Sequence, residues 1–134
     1  AGLDVFYCPS DLGDTGGNVS LHPGKNAKLE TGLRVGIPHG YMLQVMNRSS
    51  MAAKRNIVVG AHCVDSGYDG EIFIDLHNVG EDVQIIEPGT KIAQLVMVPV
   101  VHFRAMETAN KDLYHWSPIT ISARGDGGFG STGE

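Results

Sequence analysis

The sequence predicts an all-β domain, a sandwich or barrel of short strands. Three features point to it. Apolar and polar residues alternate: Ile72, Ile74 and Leu76 fall on one side of an extended chain, and Phe73, Asp75 and His77 on the other. Eighteen glycines and six prolines in 134 residues cut the chain into short pieces. Turn signals stand between the pieces at His22-Pro23-Gly24, Ile37-Pro38-His39-Gly40, residues 67–70 and Glu87-Pro88-Gly89.

Taken in order, strand-like runs occupy residues 3–7, 28–37, 41–46, 72–77, 83–86 and 91–98. Between the third and fourth, Ser49-Ser50-Met51-Ala52-Ala53-Lys54-Arg55 reads as one or two helical turns, with a serine at the N-cap. No internal repeat is present. Residues 125–134 are mostly Gly, Ser and Thr with one Phe, a composition expected of a mobile tail.

Composition narrows the function. The chain is 42% hydrophobic and 19% charged, enough apolar side chain for a core and too much for disorder. A formal charge of −5 disfavours broad nucleic-acid binding, although a small anion could still be held where a few cations gather. The longest apolar run, residues 92–101, contains Gln94 and Pro99 and falls far short of the roughly 20 residues that cross a bilayer. No basic region precedes an apolar stretch at the N-terminus, so neither a secretory signal nor a membrane partner is expected. Cys8 and Cys63 form no C-x-x-C pair and are expected to be buried thiols in a reducing compartment.

Four segments carry chemistry. Asn47-Arg48-Ser49-Ser50 sets a cation and hydroxyls at a helix start, which suits an anion; it would equally serve as an ordinary cap. Asp65-Ser66-Gly67-Tyr68 places a carboxylate three residues before an aromatic in a tight turn, also the pattern of a plain hairpin. Ile92-Ala93-Gln94-Leu95 is a strand with one polar residue. Arg124-Gly125-Asp126-Gly127-Gly128-Phe129-Gly130-Ser131-Thr132-Gly133 is glycine-rich backbone with phosphate-type donors, or a flexible linker. The six histidines show no tight ligand spacing, so zinc is not expected.

Together these segments resemble the five motifs of the trimeric dUTPase family. Ala1-Gly2-Leu3-Asp4-Val5 is similar to the first, Arg48-Ser49-Ser50 to the second, and Val64-Asp65-Ser66-Gly67-Tyr68-Asp69-Gly70 to the third. Gly89-Thr90-Lys91-Ile92-Ala93-Gln94-Leu95 is similar to the fourth, and residues 124–133 to the fifth. The resemblance covers nearly the whole chain. Family members usually carry a preceding segment that forms an early strand, whereas this sequence opens on the first motif.

The resemblance implies a jelly-roll-like β barrel at residues 1–123, trimerising so that each active site draws on more than one chain. Residues 124–134 would then be a lid over a neighbour's site. It implies hydrolysis of dUTP to dUMP and pyrophosphate with Mg²⁺, in a cytoplasmic or other intracellular nucleotide pool. That reaction limits uracil in DNA and supplies dUMP for dTTP synthesis. Asp65 matches the base that activates water, and Tyr68 the ring that packs on the deoxyribose and leaves no room for a 2′-OH. Arg48 and Gln94 match catalytic phosphate-side contacts, with Ser49 and Ser50 holding the phosphates. Main-chain groups of the hairpin, including those of Phe73 and Ile74, would read the base. From the tail, Phe129 would stack on uracil, and Arg124, Gly130, Ser131 and Thr132 would hold the γ-phosphate end. Asp4 matches a carboxylate that supports Mg²⁺ through water.

Three positions depart from the pattern: Asn47 in place of a common Pro, His62 in place of a Gly, and Asp75 in place of a small or apolar residue. His62 and Asp75 bring a secondary similarity to dCTP deaminases, in which Asp75 stands where a catalytic Glu lies. A deaminase or bifunctional deaminase–dUTPase is therefore the alternative enzyme, and a silent dUTPase-like binding module the alternative of another class. The plain expectation for His62 and Asp75 is a hydrogen bond to each other or to backbone.

Overall fold

A computed structural model describes residues 1–109. Among these, nine strands, one α-helix and one 3₁₀ turn follow in the order β1 (Leu3–Phe6), the turn Gly13–Thr15, β2 (Val19–Leu21), β3 (Asn26–Glu30), β4 (Tyr41–Met46), α1 (Ser49–Arg55), β5 (Ile57–Val59), β6 (Cys63–Asp65), β7 (Phe73–Asn78), β8 (Gln84–Ile86) and β9 (Lys91–Pro99). All lie within the compact unit Ala1–His102. Residues 103–109 belong to a second unit and are exposed without regular structure. The expected boundary at residue 123 and the tail lie outside the described residues.

Every strand pairing is antiparallel. The strands form a four-stranded sheet β1-β9-β4-β6, a three-stranded sheet β3-β7-β5 and a two-stranded sheet β2-β8. This is the all-β fold with one short helix that the sequence predicts. Alternation decides which face goes inward. Along β7, Ile74 and Leu76 are almost completely buried with Asn78, while Phe73, Asp75 and His77 face outward. Val5, Leu43, Val45, Ile92 and Leu95 close the core from the four-stranded sheet. Asn78 is buried without penalty because its amide is fully used. Nδ2 donates to the carbonyls of Leu21 and Asp82, and Oδ1 accepts from the Gly80 amide.

Four expectations need correction. The run at 28–37 is not one strand: β3 ends at Glu30. Gly32 takes a positive φ of 69°, and the buried Thr31 hydroxyl bonds locally to Leu33 N and Ile72 O, ending the ladder with β7. Burial still alternates from Thr31 to Ile37, so the period persists without a strand. Second, β2, β5 and β6 arise where no run was read, because three residues hold barely one period. Third, the N-cap of α1 is Arg48, with extended backbone and no side-chain cap bond; Ser49 is the first helical residue. The helix stops where Asn56 turns left-handed, at φ 54°. Fourth, Cys8 and Cys63 are free and exposed rather than buried. Cys63 lies on the outward side of β6, two residues before Asp65.

Candidate active site

The outer face of the four-stranded sheet carries the expected site residues in two separate groups. At one end, the register aligns Asp4 on β1 with Gln94 on β9 and Met46 on β4. Two residues past Met46, the chain turns into α1 at Arg48. The Arg48 Nε lies 3.4 Å from Asp4 Oδ1, and Lys91 Nζ lies 3.6 Å from Asp4 Oδ2. Arg48 Nη1 also donates to the Lys91 carbonyl and the Ser50 hydroxyl, each at 3.4 Å. Gln94 Nε2 donates to Asn47 O at 3.1 Å, and Asn47 Oδ1 accepts from Val59 N at 2.8 Å. Asn47, where a proline is common, thus ties the turn before Arg48 to β5.

Two cations face one carboxylate here, leaving a local excess of positive charge in a chain of net charge −5. The ion pairs are half exposed, and such pairs contribute at most about 1 kcal/mol to stability. They do little to hold the fold, and the net positive charge they leave is chemistry that suits an anion. Lys91 was missed as a site residue; it lies within the fourth motif, and only the strand register shows that it shares Asp4 with Arg48. Gly2 is needed where the chain passes over this group, since a Cβ there would lie 2.8 Å from Gln94 Oε1.

The second group is the β6–β7 connection, which joins the four-stranded to the three-stranded sheet; β6 and β7 do not pair with each other, so it is not the hairpin the sequence suggests. Cys63, Val64, Asp65, Tyr68, Glu71, Ile72 and Phe73 line a cavity of about 260 Å³. Asp65 is exposed at its mouth. The Tyr68 hydroxyl donates to Glu71 O at 2.5 Å, which lays the ring across Gly70, where a Cβ would lie 2.6 Å from the phenolic oxygen. Lys28 Nζ sits 4.7 Å from the centre of the Phe73 ring. The Cys63 Sγ is 3.7 Å from Asp65 Oδ1, a weak contact. Partial desolvation, with the Asp65 carboxylate beside it, pushes the Cys63 thiol up, so it stays neutral at physiological pH.

Ile74 does not join this cavity. Its side chain is fully buried in the core, pointing away from the connection's open face, so only its main chain is available to a base. The tail residues Arg124, Phe129, Gly130, Ser131 and Thr132 lie outside the described residues.

The two groups are not brought together within one chain. Asp65 pairs with Met42 at the start of β4, whereas Gln94 pairs with Met46 at its end. Four residues along the strand and two strand spacings across put the Cα atoms of Asp65 and Gln94 about 16 Å apart.

Asp75 and His62 behave differently from expectation. Asp75 lines neither group; it accepts from Asn26 Nδ2 and pairs with His77 Nε2, each at 2.9 Å, on the outer face of the β3-β7-β5 sheet. His62 is exposed, and its carbonyl accepts from Val45 N. The two residues do not bond each other, because Asp75 and His77 are neighbours on the same face of β7. Partial burial pushes the Asp75 carboxyl up, but the hydrogen bonds from Asn26 and His77 and the charge of His77 outweigh it and leave the group below its ordinary value of 3.8. The folded form therefore binds this proton less tightly than the unfolded chain. The pair stabilises the fold above about pH 4 and loses that contribution as pH falls through the folded value. Asp75→Asn is expected to flatten the acid limb of stability, measured by denaturant unfolding between about pH 5 and 2.

Among the described residues, an antiparallel all-β fold carries a cationic cluster and a carboxylate–aromatic loop, the chemistry suited to a nucleotide hydrolase. The dUTPase family model matches residues 14–133, and the chain belongs to that family. It is 43% identical over 118 residues to the deoxyuridine 5'-triphosphate nucleotidohydrolase of Chlamydia muridarum, covering 87% of this chain and 77% of that one. The dUTPase of Staphylococcus bacteriophage 80alpha, solved with dUpNHpp, superposes with a TM-score of 0.76 at 26% identity, over 100% of this chain and 86% of that one. A mutant dUTPase from phage phi11 of S. aureus, solved with a structural Mg(II) ion, shares the fold at a TM-score of 0.67 and 24% identity, over 82% of this chain and 84% of that one.

Proposed function

We propose that this chain hydrolyses dUTP to dUMP and pyrophosphate, with Asp65 as general base. The observation that carries this reading is that Asp65 and Tyr68 face one cavity sized for a pyrimidine nucleoside, in a chain of the dUTPase family. Water attacks the α-phosphorus, a new P–O bond forms, the α–β anhydride bond breaks, and pyrophosphate leaves. Asp65 takes the proton that the water gives up. The protein makes no covalent intermediate, so orientation and charge neutralisation supply the catalysis. Arg48 and Lys91 neutralise phosphate charge, and Gln94 fixes Arg48 by holding the Asn47 carbonyl. Ser49 and Ser50 present hydroxyls beside them.

Tyr68 blocks the space of a 2′-OH, and main-chain groups near Phe73 and Ile74 read the base. Asp75 stands outside the cavity with both carboxylate oxygens engaged, which leaves the deaminase alternative without its carboxylate.

Among the described residues no three His, Cys, Asp or Glu side chains cluster as ligands. Asp4 is the half-exposed carboxylate nearest the phosphate cations, but its two oxygens face Arg48 and Lys91, so it fits Mg²⁺ only as a partner of the ion's waters once the phosphates draw those cations away and supply the direct ligands. When bound, Mg²⁺ would neutralise the triphosphate and orient it. Asp4 would hold its waters.

We further infer a homotrimer with sites between subunits. The separation of Asp65 from Arg48 and Gln94 along β4 supports it, because one chain offers the base and the phosphate cations at opposite ends of a strand. The lid at residues 124–134, including Phe129 and Arg124, completes the same reading.

A panel of nucleotides with Mg²⁺, scored separately for pyrophosphate and ammonia, tests the function. Pyrophosphate from dUTP with no ammonia from dCTP is the expected result; ammonia from dCTP would replace this reading with the deaminase.

A further inference from the structure

We propose that Arg34 is a positioning residue for the β6–β7 loop that excludes ribonucleotides; the proposal deepens the dUTPase reading above and rests on it. The 66–72 loop of this β6–β7 connection has no ladder of its own, since β6 pairs with β4 and ends at Asp65, and β7 pairs with β3 and β5 and begins at Phe73. Its geometry comes from the irregular segment that follows β3. At the loop's near end, Ser66 Oγ donates to Ile37 O at 3.0 Å. At its far end, Ile72 N donates to Leu33 O at 2.8 Å, and the buried Thr31 hydroxyl donates to Ile72 O at 2.5 Å. Midway, Arg34 Nε donates to the Asp69 carbonyl at 2.6 Å, a short bond from a charged donor.

That carbonyl belongs to the residue after Tyr68. Tyr68 is preceded by Gly67 at φ 93°, a residue with no Cβ to restrict the backbone there. Behind the ring lies a groove of about 350 Å³ lined by Arg34, Val35, Ile37, Gly67, Tyr68 and Asp69. Tyr68 therefore stands between two spaces, the nucleoside cavity in front and this groove behind. Its own hydroxyl is tethered to Glu71, and the peptide after it is tethered to Arg34. Without the second tether the ring can withdraw into the groove, opening room in front for a 2′-OH. Arg34 touches no reacting atom; it acts through Tyr68.

The test is Arg34→Met, which keeps the aliphatic stem and removes the donors, alongside Arg34→Lys, which restores one. The readout is the ratio of kcat/KM for dUTP to that for UTP. Arg34→Met is expected to lower this ratio about tenfold, the effect of about 1.4 kcal/mol, mainly through the KM of dUTP and a gain with UTP. Arg34→Lys should recover most of it, and the melting temperature should stay near that of the parent chain. Amide exchange at residues 65–72 should speed up in Arg34→Met while β4 and β9 stay protected. An unchanged ratio, or an equal loss for both nucleotides with a lowered melting temperature, would overturn the proposal. If the parent chain releases no pyrophosphate from dUTP, the functional reading fails, and the exchange measurement alone still decides whether Arg34 holds the loop.

Discussion

Asp65→Asn is expected to lower kcat for dUTP by about 10²–10⁴-fold while leaving nucleotide binding within a few-fold of the parent chain. The amide keeps the size and hydrogen-bonding reach of the carboxylate but cannot accept a proton from water. Asp65 is exposed at the cavity mouth and is not part of the core, so the fold should be unaffected. Binding of a non-hydrolysable dUTP analogue by calorimetry, beside single-turnover pyrophosphate release, separates the two effects. Turnover at the parent rate would remove Asp65 from the role of base.

Arg48→Ala is expected to be equally damaging, for a different reason. It removes a cation from the phosphate group and leaves Asp4 with Lys91 alone. The larger prediction comes from combining the two variants. Within one chain, Asp65 sits against the start of β4 and Arg48 follows its end; in the trimer proposed above, each site takes them from different subunits. Co-refolding equal amounts of Asp65→Asn and Arg48→Ala chains should then regenerate about one intact site in four, because each complete site needs an intact base from one chain and an intact arginine from its neighbour. Activity near a quarter of the parent, from two nearly inactive proteins, is the expected result. No recovery in mixtures shown to exchange subunits would place both residues in a single-chain site.

Much of the fold was legible because its signals are local. The alternation at Ile72, Ile74 and Leu76 is a property of six consecutive residues, and β7 adopts it with those three side chains buried. The turn glycines Gly24, Gly40, Gly67 and Gly89 all take positive φ, a conformation their lack of a Cβ permits. The helix over residues 49–55 was readable from composition, but its cap was not. Whether Ser49 or Arg48 occupies that position depends on where β4 ends, and β4 leaves the ladder at Met46 while β9 runs on to Lys91 beside β1. The burial of cysteines was misread for a similar reason. Thiols are often interior, but Cys63 shares a strand face with Asp65, and the side of β6 that faces outward is chosen by its register with β4.

At the site, the five motifs name residue types and their order, and a chain that repeats them can be placed in a family. They carry no information on distance. Lys91 became visible only when register set it against Asp4, and Asp75, expected to bond His62 or backbone, bonds the side chains of His77 and Asn26 instead. Arg34 and Asp69 are separated by 35 positions and show no sequence pattern that links them.

The order of residues by itself determined the period of the strands, the places of the turns, the short helix and the set of groups able to bind a nucleotide. All of these follow from backbone sterics and side-chain chemistry over a few neighbouring positions. The tertiary structure alone decided which face of each strand is buried, that Asp65 and the Arg48–Lys91 cations stand apart within one chain, and which distant donor meets the β6–β7 loop. Those outcomes depend on strand register, and register is settled by packing between segments far apart in the chain.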